Sequence, residues 1–156
     1  MLRRTLPGLA GLLLAAPVRA QTTPQPRLPE EPLIFITRDG TRHEFRVEMA
    51  VAPEQQMVGL MFRPSVGPQE GMLFDWGAPR ESSMWMRNTI TSLDMIFISA
   101  DGHIHRIAER TVPYSLAAID SRGPVRATLE LAAGTAERLN LRVGDQVLQR
   151  IFGNAP

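Results

Sequence analysis

Between residues 33 and 153 the apolar side chains recur at every second position or in short runs, and helical spacing never persists beyond about ten residues. Such a chain cannot make enough helix to cover a parallel sheet, so it must bury strands against strands. Leu33 to Thr37 is apolar and β-branched, and Asp39-Gly40 suits a tight turn. Phe45, Val47, Met49 and Val51 then alternate with Glu44, Arg46, Glu48 and Ala50, which predicts a hairpin with one buried face. Further strands are predicted at 71–76, 82–86, 94–99, 103–111 and 125–132, with a last one near 146–152 and a long loop over 113–124. Pro53 suits a first helical position, and Met57, Val58, Leu60 and Met61 extend that helix to Arg63-Pro64; Gly134-Thr135 opens a second short helix through Leu139. The expected fold is mainly β: an antiparallel sandwich of jelly-roll type, or a small barrel, with two short helices. Met95-Ile96-Phe97-Ile98 is apolar on both faces and is expected to lie centrally, under a second sheet or the 53–62 helix.

The amino terminus reads as an address. Arg3 and Arg4 precede an apolar run from Leu6 to Ala16, and Val18-Arg19-Ala20 offers small or short residues for cleavage, so residues 1–20 are predicted to be a secretory signal peptide. The run is shorter than the roughly 20 residues that cross a bilayer. Residues 21–32, QTTPQPRLPEEP, hold four Pro and are expected to form an extended, solvated linker, leaving 33–153 as a single domain. The expectation is a periplasmic or secreted soluble protein with no stable membrane span after cleavage; its oligomeric state stays open.

Composition removes several chemistries. The chain has no Cys and no Lys, so disulfides, thiolate metal sites, cysteine nucleophiles and lysine Schiff bases are all excluded. Beyond residue 20, 14 Arg face 16 acidic residues, which gives no electrostatic reason to bind nucleic acid or an anionic membrane surface. No phosphate-cradling Gly loop, dinucleotide fingerprint or G-x-S-x-G elbow is present, and no cofactor is expected.

The candidate residues are polar groups in apolar company. In Met84-Trp85-Met86-Arg87-Asn88-Thr89 an apolar strand runs into a guanidinium, an amide and a hydroxyl, with Trp85 and Arg87 on one face. Trp offers a flat wall and Arg a rigid fork for an anion; the alternative is a core Trp with Arg87 paired to Asp94 or Glu130. Asp94 lies between Leu93 and Met95, and Glu130 between Leu129 and Leu131, so each carboxylate enters a packing strand. They could serve as a general acid and base, or as structural ion-pair partners. Arg63, after the first helix, either joins them or balances the helix end. His103 and His105 form an H-x-H pair, and Met84 and Met86 share a strand face, which raises copper or zinc binding against the simpler reading of surface His and core Met.

In order, GLMFR (59–63), GMLFDW (71–76), MWMRNT (84–89), LDMIFI (93–98), DGHI (101–104), LELAAG (129–134) and VGDQV (143–147) resemble the domain of unknown function 192 family of bacteria and archaea over about residues 44–148. The resemblance implies a compact, mainly β domain of sandwich or jelly-roll character, commonly exported or lipid-anchored, with no established activity, substrate or cofactor. It singles out Arg63, Trp85, Arg87, Asn88, Thr89, Asp94 and Glu130 as the recurring polar members. Met84 stands where the family usually carries an aromatic residue. The expected function is binding of a small polar or anionic ligand, or a partner segment, at Arg63, Trp85, Arg87, Asn88, Asp94 and Glu130. Two other classes are kept: an envelope-acting hydrolase using Asp94 and Glu130, and a periplasmic copper- or zinc-binding protein using Met84, Met86, His103 and His105.

Overall fold

The structure is a computed structural model that describes residues 22–155, so the predicted signal peptide lies outside the described residues. Seven strands form one mixed sheet: β1 (Glu30–Ile36), β2 (Arg42–Ala50), β3 (Glu70–Met84), β4 (Leu93–Ile98), β5 (Ile104–Ala108), β6 (Ile119–Ala132) and β7 (Gln146–Leu148). Their spatial order is β5-β4-β6-β3-β2-β1-β7. Two short helices, α1 (Pro53–Val58) and α2 (Thr135–Arg138), and a 3₁₀ turn at Arg150–Phe152 complete the elements of the described residues. The fold is thus mainly β, but not purely antiparallel. β2 and β3 run parallel because residues 51–69, including α1, cross over between them, as parallel neighbours require.

The sheet is curled. One apolar cluster draws on every strand, including Leu33, Phe45, Leu73, Ile96, Ile104, Leu129 and Val147, and side chains from all seven strands can meet only if the sheet wraps around them. The two outermost strands then approach each other. His103 bridges Gln146, and Ile104 N–H donates to the Asp145 carbonyl at 2.9 Å and Val147 N–H to the Gly102 carbonyl at 2.7 Å. Gly102 has φ +78°, and a β-carbon there would lie 2.8 Å from the Val147 carbonyl, so this close approach needs glycine. Of the expected architectures, the barrel-like one matches this curl, and a second facing sheet is not found among the described residues.

A second cluster covers the convex side. Met72, Phe74, Met95 and Phe97 alternate with the inward residues of β3 and β4 and are capped by Leu60, after α1, and by Met86. That layer explains why all six residues of β4 are buried.

Several predicted boundaries need correction. Runs 71–76 and 82–84 belong to one strand, β3, which crosses the intervening Gly-Ala-Pro by a register break between Asp75 and Arg80 and ends at Met84, leaving Trp85 and Met86 beyond it. Residues 119–124, expected to be loop, extend β6. The expected ten-residue helix stops after Val58, where Gly59 adopts φ +51°. The expected linker is docked rather than free: β1 begins at Glu30, the Gln25 amide donates to the carbonyls of Gln55 and Gly59 at 3.1 and 2.9 Å, and Leu28 N–H donates to Glu48 at 2.8 Å.

Candidate functional site

β6 carries Glu130 directly opposite Met72 of β3 and Met95 of β4, on the convex face of the sheet. It is 4% exposed, and among the described residues no group donates a hydrogen bond to its carboxyl. Burial without a counter-charge disfavours the anion and pushes its pKa from 4.5 up to about 8, so the carboxyl keeps its proton at neutral pH.

Glu130 lines a cavity of about 140 Å³. Phe74 and Trp76 of β3 form one wall, Ser83, Met84, Trp85 and Thr89 a second, and Gln56, Met57 and Met61 a third. Local backbone geometry sets these walls. Gly59 lies so close to Phe74 that a β-carbon would stand 2.9 Å from the ring, which lays the turn after α1 flat on the sheet. Asn88, at φ +54°, accepts Phe62 N–H at 2.9 Å on its carbonyl and points its amide at Met61 Sδ, tying segment 84–89 to that turn. Trp76 Nε1 donates to Thr128 Oγ1 at 3.2 Å, which fixes the indole. Two guanidinium groups stand on the aromatic walls: Arg80 lies 4.4 Å over the Trp76 ring and Arg87 5.4 Å over Trp85. Trp85 is 45% exposed and so forms part of the rim.

The sequence profile described as Uncharacterized ACR, COG1430 (DUF192) matches residues 34–149. The chain belongs to this family. Several solved structures resemble it, including the following two. A protein of Sinorhizobium meliloti 1021, described as a candidate transcription regulator, is 46% identical, with 81% of this chain and 98% of that chain covered and a TM-score of 0.79. A protein of unknown function from Novosphingobium aromaticivorans DSM 12444 is 39% identical, with 78% and 86% covered and a TM-score of 0.75. No curated protein matches the chain.

Of the residues proposed for this DUF192 chain, Trp85 and Glu130 line the cavity, while Arg87 and Asn88 border it through Trp85 and Met61. Arg63 is engaged elsewhere. Its Nη1 and Nη2 donate to the two carboxylate oxygens of Glu48 at 2.6 and 2.8 Å, with both side chains buried. Burial opposes the charge on Glu48, but the hydrogen bonds from Arg63 and Leu28 N–H, with the charges of Arg63 and Arg27, hold its pKa below the ordinary value.

Asp94 sits opposite Leu131, on the concave side, whereas Glu130 sits opposite Met95 on the other. The two carboxyls face opposite sides of the sheet and cannot serve one substrate, which removes the acid-base hydrolase reading. Asp94 instead accepts Arg110 N–H at 2.8 Å and Ala136 N–H at 2.9 Å, fastening the end of β5 and the start of α2 to β4. Asp94→Ala is therefore expected to strand two amides and lower unfolding free energy by about 2–4 kcal/mol in urea, with Asp94→Asn losing less because one acceptor survives.

The metal reading also changes. Met86 is fully buried, Met84 lines the Glu130 cavity, His103 lies beside Asp101 at 3.3 Å, and His105 faces a different cavity. These four side chains share no site, and the described residues hold no group of three or more His, Asp or Glu arranged for a metal. Sequence reasoning missed Trp76 and Met61 as wall residues. Trp76 was detectable in principle, because strand alternation puts it on the same face as Met72 and Phe74.

Proposed function

We propose that this protein is a binding protein whose Glu130 cavity takes a small ligand with an apolar body about one ring in size and a hydrogen-bond acceptor directed at the protonated carboxyl. The observation that carries this reading is Glu130 itself, buried, unpartnered among the described residues and facing open volume. A ligand acceptor there would gain a hydrogen bond to a carboxyl that has no protein partner among the described residues, worth about 0.5–1.5 kcal/mol net. The volume is close to the ~150 Å³ apolar cavity that accommodates benzene. Arg80 and Arg87 at the aromatic walls disfavour a cation and favour a neutral or anionic ligand. Glu130 is the single ionisable group lining the cavity among the described residues, which supports binding over acid-base catalysis.

Export of the chain is part of the same proposal and rests on Arg3-Arg4, the Leu6–Ala16 run and Val18-Arg19-Ala20. The description of the S. meliloti relative is not carried over, because the near balance of 14 Arg against 16 acidic residues beyond residue 20 favours no nucleic-acid partner.

Benzamide, benzoate and benzylammonium test the site as a neutral, anionic and cationic series, followed by Trp fluorescence and by amide shifts at Ser83, Thr89 and Glu130. The expected result is binding of benzamide and benzoate but not benzylammonium at pH 6.5, with affinity falling about tenfold per unit above the Glu130 pKa. Glu130→Leu should abolish binding; equal binding by that variant, or no response to any probe, overturns the proposal. A second reading has its own observation: Met57, Met61 and Met84 line the same cavity, and thioethers prefer Cu(I). Stoichiometric Cu(I) uptake lost in Met61→Leu would favour it.

A further inference from the structure

Seven of the fourteen described arginines (27, 38, 46, 63, 110, 126 and 150) lie within 4.0 Å of a carboxylate. Three of the others come together. Arg106 of β5, Arg122 of β6 and Arg142, in the turn before β7, line an open groove of about 600 Å³ together with His105, Ser121 and Glu109. Arg106 stacks on Phe97 at 5.5 Å and donates to the Asp120 carbonyl; no carboxylate of the described residues pairs with it, with Arg122 or with Arg142.

The backbone holds these charges in place. β6 pairs irregularly with β3 between Glu81 and Ser83, and Arg122 sits at φ +58°, a left-handed conformation that is unfavourable for a long side chain. The turn is pinned on both sides: Ser82 N–H donates to Ser121 Oγ at 2.9 Å, and His105 Nε2 donates to the Arg122 carbonyl at 3.3 Å. Gly123 packs on the His105 ring, where a β-carbon would stand 2.7 Å from Nε2. Arg142 N–H is fixed by Asp145 at 2.8 Å. Burial and the neighbouring charge of Arg122 make Arg106 less basic than usual, only partly offset by Asp120. Glu109 lines the same groove and Asp120 lies near Arg106, so among the described residues two carboxylates face three guanidinium groups and a net positive charge remains.

We propose that this groove is a second binding site, separate from the Glu130 cavity, for a small multivalent oxyanion of the phosphate-ester class. Forked guanidinium donors on three separate elements match the several oxygens of a phosphoryl group better than a single carboxylate. A bound anion would also relieve the repulsion between Arg106 and Arg122.

Inorganic pyrophosphate is the probe, titrated calorimetrically into the full chain at fixed ionic strength. Saturable binding is expected, weakened at least tenfold in Arg122→Gln and in Arg142→Gln and unchanged in Arg42→Gln. In thermal melts, Arg122→Gln should raise Tm without pyrophosphate while losing the pyrophosphate-induced rise, a combination that a damaged fold does not give. The proposal is overturned by absence of saturable binding, by equal weakening in Arg42→Gln, or by binding of duplex DNA without binding of pyrophosphate, which would assign the groove to nucleic acid.

Discussion

Glu130→Gln is expected to have little effect on stability at pH 4 and to stabilise the protein by about 3–5 kcal/mol at pH 8.5. The sign follows from the direction of the shift. Below 4.5 the carboxyl is protonated in both folded and unfolded chains and contributes no pH dependence. Above that value the unfolded chain releases its proton while the native chain, with a pKa raised to about 8, retains it. Native stability therefore falls as pH rises from about 4.5 to 8 and levels off beyond, whereas the Gln variant lacks this slope. Glu48 contributes an opposite slope at lower pH, where its depressed pKa makes stability drop on acidification, but it does so in both proteins and cancels in the difference. Urea unfolding of both proteins from pH 4 to 9 reads the divergence directly. Parallel curves would mean that Glu130 is ionised at neutral pH, and the hydrogen-bond donor assigned to the cavity would be lost with it.

Glu48→Ala should lower unfolding free energy by about 3–5 kcal/mol, among the largest losses from any single substitution here. It leaves the buried Arg63 guanidinium without its two carboxylate oxygens and Leu28 N–H without its acceptor. The pair is not a large net source of stability, because withdrawing both charges from water is costly. Glu48→Met combined with Arg63→Met should therefore lose less than Glu48→Ala alone. A double-mutant cycle in urea measures the coupling, and additive losses would show that the two groups act independently. Removing Glu48 should also loosen segment 25–29, since Leu28 docks through it, and faster amide exchange there would register the change.

The strand positions were legible because each strand has a wet or differently packed side, and alternation survives wherever two environments meet. Glu48 was misread for a related reason. Alternation assigned it with Glu44 and Arg46 to solvent, but β2 passes under residues 27–28 and beside Arg63, so its polar side is covered only at that end. The Gly-Ala-Pro segment at 77–79 looks like a turn in sequence, yet β3 continues through it because β6 supplies partners on both sides of the break. Glu130 stood out as a carboxylate among leucines, although no local pattern could distinguish an ion pair from a protonated group beside a hollow. Asp94 was opaque because its partners are backbone amides 16 and 42 residues away, and amides leave no mark in side-chain spelling. Trp85 and Arg87 do meet, at 5.4 Å, but in the turn beyond Met84, where β3 ends, and not on the strand face that alternation predicts; the engagement of Arg63 with Glu48 likewise required the tertiary fold.

The contact between residues 102–104 and 144–147 has a consequence for how copies of this protein meet. A sheet that ends in bare strands offers rows of unused amides and carbonyls, on which a neighbouring molecule can add its own strand and start a growing aggregate. Here β5 and β7 satisfy part of one another's edges, so self-association through shared main chain has little foothold along that seam.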